Sequence, residues 1–317
     1  MKPLLRRVNG ILLLDKPAGI TSNGALQRVK RLFMAKKAGH TGSLDPLATG
    51  MLPICFGEAT RVSQFLLESD KRYEVRAILG VRTKTGDAEG EVTETRPVPV
   101  LSDGMIADVL ERFRGVISQV PPMFSAIKYQ GKPLYRLARQ GIEIERAPRA
   151  VRIDLLELRS RGEGTLDVEV RCSKGTYIRT LIEDIGEALQ CGAHVGRLRR
   201  TEVVPYQAAD MAGLDLDGLQ ALFEKSGFAA LDQLLLPVDT PIQHLPFVRL
   251  SSAAAFYLRG GQPVMVPNAP ASGFVRIYEG SGFMGVGEMS GDGKVMPRRL
   301  VTGSALPVAH VPQEAAG

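Results

Sequence analysis

The sequence predicts an α+β fold around a largely antiparallel sheet, with a small β-rich module towards its C-terminal end. Three observations carry this. The segments RYEVRAILG and LDVEVRCS alternate apolar and polar residues at the period of a half-buried strand. The segments TSNGALQRVKRLF and TYIRTLIEDIGEALQCG repeat apolar residues at helical spacing, yet helices and strands do not follow the regular βαβ rhythm of a doubly wound sheet. Finally, a proline-rich stretch leads into short strand-like runs separated by glycine turns.

Taken in chain order, the first helix opens on capping-type residues and gathers Ala25, Leu26, Val29, Leu32 and Phe33 on one face. Arg28, Lys30 and Arg31 are left to the other faces, towards solvent. Tyr73, Val75, Ala77 and Leu79 form the inward side of the next strand, and GDAEG after it reads as a turn. Leu166, Val168, Val170 and Cys172 do the same for a later strand, which passes through SKG into a helix with Ile178, Leu181, Ile182, Ile185 and Leu189 on one side. Gly192 is the expected stop. PVDTPIQHLP, Pro237 to Pro246, holds three prolines, the composition of an interdomain linker. GFVRIYE, FMGVGEM and KVMPRRLV then supply the strands of the small module.

Composition narrows the function. The chain has 317 residues, 44% hydrophobic and 23% charged, as ordinary globular proteins do, and the length suits about two domains. Forty Lys and Arg against 34 Asp and Glu give a net charge of +6, a lean towards a polyanionic partner that a solvated lysine surface would equally produce. No apolar run approaches the ~20 residues of a membrane span, and Arg6, Arg7 and Asn9 interrupt the apolar stretch that a secretion signal would need. Cys55, Cys172 and Cys191 are odd in number and form no C-x-x-C pair, so they read as core thiols in a reducing cytoplasm rather than a disulfide or zinc framework. Gly280, Gly282 and Gly285 match G-x-G-x-x-G, but MSGDGKVMP follows where a helix is required, which makes them a glycine-rich hairpin. There is no phosphate-binding loop, H-E-x-x-H or G-x-S-x-G motif.

Two places remain. In AGHTGSLDPLATGMLPICFGEATR the acid among the turn residues is Asp45; Asp before Pro commonly opens a turn, but Gly39, Gly42 and Gly50 would permit close approach to a ligand, and His40 adds a planar side chain. In SKGTYIRT, Arg179 falls in the first turns of its helix, where the macrodipole disfavours a cation by ~0.3–1 kcal/mol unless an anion is near. Either Arg179 is solvent-exposed, or a distant carboxylate such as Asp45, or a phosphate, stands beside it.

GHTGSLDPLATGMLPICFGEATR, KRYEVRAILG and CSKGTYIRTLIEDIGEALQCGAHVGRLRR resemble the matching motifs of the bacterial tRNA pseudouridine synthases of the TruB type, and the likeness runs from LLLDKPAGITS to MPRRLV. The resemblance implies a pseudouridine synthase fold with a mixed, mostly antiparallel central sheet over residues 1–240, and a PUA-type RNA-binding domain over 247–312. It implies isomerisation of the uridine at position 55 of the tRNA T loop without metal or other cofactor, by a protein we expect to be a cytoplasmic monomer. By motif, Asp45 matches the catalytic aspartate, Tyr73 the tyrosine that contacts the base, and Arg179 the arginine that pairs with the aspartate. His40, Tyr177, Leu198 and Lys16 fall among the RNA-site residues, with Lys16 and Pro17 in a motif of mainly structural character. Residues 124–150, with Lys128, Lys132, Arg136 and Arg139, align with a mobile insertion that clamps RNA.

The chemistry agrees. A uridine inside a folded loop must be extruded before its glycosidic bond is reachable, and Tyr73 offers a stacking face to a base that must turn before it reattaches through C5. Asp45 has to be ionised to attack the sugar or base or to remove a sugar proton, and Arg179 is expected to hold its pKa down. An RNA-binding or RNA-folding protein without catalysis would have no use for Asp45 and Arg179 together. A guide-RNA-dependent synthase would share the motifs but is disfavoured by the compact C-terminus without long basic tails.

Overall fold

The largest apolar faces belong to strands whose alternation buries one side. The computed structural model describes residues 4–211 and 213–302; the first three residues of the chain and residues 303–312 of the expected C-terminal domain lie outside it. The N-terminal part comprises β1 (Gly10–Lys16), α1 (Ser22–Leu32), β2 (Ala38–His40), β3 (Thr49–Phe56), α2 (Ser63–Glu68), β4 (Lys71–Leu79), β5 (Val81–Thr83) and β6 (Val92–Thr95). It continues through α3 (Asp103–Glu111), β7 (Gly115–Gln119), β8 (Lys128–Tyr129), β9 (Lys132–Pro133), α4 (Leu134–Ala138), β10 (Arg149–Gly162) and β11 (Thr165–Cys172). Then come α5 (Ile178–Ala188), β12 (Ala193–Val203) and α6 (Leu216–Gln233), and the C-terminal unit adds β13 (Phe247–Leu250), α7 (Ser252–Arg259), β14 (Val264–Met265), β15 (Gly273–Glu279), β16 (Gly282–Met289) and β17 (Lys294–Leu300).

Eight strands form the central sheet in the order β1-β3-β12-β4-β11-β10-β7, with β2 added beside β3. Its pairings are antiparallel except β12 against β3, where Arg199 and Arg200 run parallel to Thr49 and Gly50. The sheet is therefore mixed and mostly antiparallel, as the sequence predicts. Tyr73, Val75, Ala77 and Leu79 of β4 and Leu166, Val168, Val170 and Cys172 of β11 share one core with Ile178, Leu181, Ile182 and Ile185 of α5. A second cluster, with Leu12, Leu14 and Leu52, packs on Ala25, Leu26 and Val29 of α1 and Leu219 of α6. Thr21 caps α1 by accepting from the Gly24 amide at 3.0 Å.

Two details differ from expectation. The left-handed residue that ends α5 is Gln190 (φ +64°), ahead of Gly192; the amides of Gln190 and Cys191 bond to the carbonyls of Glu187 and Gly186, a six-to-one, five-to-two closure. More consequentially, the proline-rich stretch is no free linker. Val238 and Ile242 are buried with Ile11, Met51 and Val62 on one side and Tyr278, Phe283 and Val286 of the C-terminal sheet on the other. Arg276 binds the Leu245 carbonyl at 2.9 Å, and the Tyr278 hydroxyl donates to buried Asp239. Apolar residues between the prolines turn the connection into a shared seam.

The C-terminal sheet has the order β13-β15-β16-β17-β14. Gly280 (φ +58°) lies at the β15–β16 turn and Gly282 opens β16, so the G-x-G-x-x-G spacing is a hairpin. No described helix is long and apolar enough to cross a membrane.

Candidate active site

Asp45 stands in the loop between β2 and β3. Its own carbonyl accepts from the Ala48 amide at 3.1 Å, so the turn expected of Asp-Pro forms through the backbone and leaves the carboxylate free. The loop is tied down from several sides. Ser22, the first residue of α1, accepts from the Leu44 amide at 2.7 Å and donates to the Leu44 carbonyl at 2.9 Å. The Pro46 carbonyl accepts from the Gly19 amide at 2.9 Å and from Lys16 Nζ at 3.4 Å.

The structure brings Asp45 and Arg179 together: Arg179 Nε lies 2.8 Å from Asp45 Oδ2. Arg179 is buried, 6% exposed, whereas the Asp45 side chain keeps 40% of its surface. The remaining guanidinium nitrogens donate to the carbonyls of Thr85 at 2.6 Å and Phe124 at 2.7 Å. A second carboxylate, Asp87, 6% exposed, approaches Arg179 Nε at 3.8 Å. Two anions thus offset the unfavourable place of Arg179 at its helix N-terminus. They also correct one expectation. Desolvation by the surrounding protein is the largest influence on Asp45, and with Asp87 adding to it, the carboxyl lies above its ordinary value despite Arg179.

Below the loop, Tyr73 and Leu198 are buried on adjacent strands, Leu198 opposite Val75 and Tyr73 opposite Arg200. Both share a core with Leu44, and burial pushes the Tyr73 phenol up. His40 ends β2, half-buried; burial, with Arg200 second, lowers its pKa and keeps the imidazole neutral near pH 7. Tyr177 precedes α5, and Gln119 holds its backbone, accepting from its amide at 2.8 Å and donating to its carbonyl at 3.1 Å. Lys128, Lys132 and Arg136 are exposed, apart from the Asp45 loop, on the β8–β9 hairpin and α4.

Lys16 is a correction: expected among RNA contacts, it is fully buried, its ammonium donating to Pro17 and Ile20 carbonyls at 2.8 Å besides Pro46. Burial depresses its pKa to about 8. It supports the loop from within. Gly50 (φ +97°) likewise serves strand packing rather than a ligand, since a Cβ there would lie 2.2 Å from the Arg200 carbonyl oxygen.

Sequence reasoning missed Asp87, hidden in a segment that reads as a turn, and Arg200 and Gln119, which no local pattern distinguishes. The only available signal for Asp87 was an acid in a stretch dense with glycine. Among the described residues no group of three or more His, Cys, Asp or Glu side chains is arranged to hold a metal ion.

Comparison with known proteins places the chain in a family. The description "TruB family pseudouridylate synthase (N terminal domain)" matches residues 30–178, "tRNA pseudouridylate synthase B C-terminal domain" residues 179–243, and "Pseudouridine synthase II TruB, C-terminal" residues 246–301. The chain is 56% identical over 297 residues to the tRNA pseudouridine synthase B of Coxiella burnetii (strain RSA 493 / Nine Mile phase I), covering 93% of this chain and 96% of that protein. It is 56% identical over 314 residues to the protein of the same name from Tolumonas auensis, with 96% of each covered. Among solved structures, a chain of a Cbf5–Nop10–Gar1 complex superposes with a TM-score of 0.70 at 26% identity, covering 94% of this chain and 85% of that one. This chain belongs to the TruB family of pseudouridylate synthases.

Proposed function

We propose that this protein isomerises the uridine at position 55 in the T loop of tRNA to pseudouridine, with Asp45 as the carboxylate that acts on the extruded nucleotide. The observation that carries the reading is a half-exposed Asp45 facing buried Arg179 at 2.8 Å, on a loop fixed by Ser22 and Lys16. A preorganised carboxylate with its proton affinity raised by burial is suited to nucleophilic or base chemistry once ionised. Arg179 orients it. Tyr73 receives the base, Leu198 walls the pocket, and His40 and Tyr177 line the RNA site. The exposed cations of residues 124–150 grip phosphates, and the β-rich unit within 247–312 acts as a PUA-type RNA-binding domain beside a catalytic domain of 1–240. The protein works as a cytoplasmic monomer, a setting in keeping with its buried, unpaired Cys55, Cys172 and Cys191.

Purified protein alone, incubated with an unmodified T-arm stem-loop whose uridine carries tritium at C5, is expected to release that tritium. Binding without release would leave an RNA-binding protein; release only with an added guide RNA would make it a guided enzyme.

A further inference from the structure

Arg200 is the largest of the fully buried side chains, 1% exposed, and among the described residues no carboxylate lies within ion-pairing distance of it. Burying an uncompensated cation is unfavourable, so its surroundings have to justify it. Its Nε donates to the Met51 carbonyl at 2.7 Å and its Nη2 to the Gly42 carbonyl at 3.1 Å. Gly42 lies at the start of the loop that carries Asp45, and Met51 in β3, the strand into which that loop runs.

We propose that Arg200 is a positioning residue for the reaction: one guanidinium ties the start of the Asp45 loop to the strand that follows it and thereby sets where the carboxylate stands. The inference rests on the reading of Asp45 given above. Three features of the fold support it. The parallel junction of β3 with β12 places Arg200 directly beside Gly50, and the missing Cβ there lets the two backbones close to a distance that no side chain would allow. Gly42 adopts φ +83°, which turns its carbonyl chain into a left-handed bend that a residue with a side chain would resist. Finally, the planar fork of arginine presents several fixed donors, so it can hold two carbonyls at a set separation; a lysine ammonium on its flexible stem cannot enforce that geometry. Lys16 holds the Pro46 carbonyl of the same loop, so two internal cations fix the Asp45 loop through its backbone oxygens.

The test compares full-length wild type with Arg200→Lys and Arg200→Gln on the tritiated T-arm stem-loop under single-turnover conditions. Lysine keeps the charge and loses the fork; glutamine removes the buried charge and so favours folding where lysine fails. With fold verified by circular dichroism, we expect affinity within about twofold of wild type and a single-turnover rate lower by roughly 10- to 100-fold, the scale of a small misplacement of a reacting group. The acid limb of the rate profile should also move to higher pH, because Asp45 faces Arg179 and Lys16 as cations and Asp87 as an anion, and a loosened loop weakens its hold on Arg179. Amide hydrogen exchange across residues 43–50 should quicken. A folded variant with the wild-type rate, an unmoved acid limb or unchanged exchange overturns the proposal, as does affinity falling in step with rate. A wild type that releases no tritium overturns the reading of Asp45 instead.

Discussion

The loop that carries Asp45 and the segment of residues 124–150 are both connections between strands, and they are built in opposite ways. The first is short, and side chains from three other elements hold its backbone: Ser22, Lys16 and Arg200. The second exposes Lys128, Lys132, Arg136 and Arg139 and is anchored at its start, where the Phe124 carbonyl accepts from Arg179. The difference teaches where each task belongs. A reacting group needs a fixed position, which rigid surroundings supply, whereas cations that meet a phosphate backbone need reach and solvent exposure.

Substitutions can break or sharpen that contrast. The largest effect is expected from Asp45→Asn, which keeps shape but removes the charge: pseudouridine formation should fall by roughly 10⁴-fold or more, with stem-loop affinity retained in a filter-binding assay. Arg179→Ala should lower the single-turnover rate by roughly 10²- to 10³-fold. With Arg179 gone, burial and Asp87 are opposed on Asp45 by Lys16 alone, so the limb where activity is lost on acidification should move to higher pH, since the ionised form loses its nearest cation. A Lys128→Ala, Lys132→Ala, Arg136→Ala triple variant should act the other way round, weakening affinity about tenfold and flattening its salt dependence by about 0.7 in log-log slope per lost phosphate contact, while the rate at saturating RNA holds. The smallest effect concerns Lys16. Its folded pKa is about 8 against 10.5 unfolded, so the folded state binds the proton less firmly, and stability from this residue rises with pH between those values. Denaturant titrations should show wild type gaining on Lys16→Met by roughly 1 kcal/mol per pH unit across that window.

The parts of the molecule legible in the sequence are those whose signal is local or carried by a motif. The two-residue period of Tyr73 to Leu79 and the helical spacing of Ile178 to Ile185 each match a buried face, because an amphipathic element writes its orientation into its own residues. Asp45 and Arg179 stood out through the family resemblance and the helix-dipole argument. Asp87 did not: a turn residue becomes a buried carboxylate only when the fold brings α5 across it, and for the same reason the direction of the Asp45 shift was unreadable. Lys16 and Arg200 look like any other basic residue until their carbonyl partners are known. The prolines between 237 and 246 gave the composition of a linker, while the burial of Val238 and Ile242 depended on a second sheet arriving from later in the chain.

The buried cations bear on how solution conditions reach the two regions. Among the described residues Lys16, Lys71, Arg179, Arg200 and Arg276 are interior against the carboxylates Asp87 and Asp239, an excess of three positive charges. Mobile ions cannot gather around these charges, so the field of Lys16 and Arg179 at Asp45 persists at salt concentrations that screen the exposed lysines within about 10 Å or less. Ionic strength therefore acts as a selective solvent knob: raising it should empty the enzyme of RNA while leaving the turnover of each molecule still bound almost unaltered.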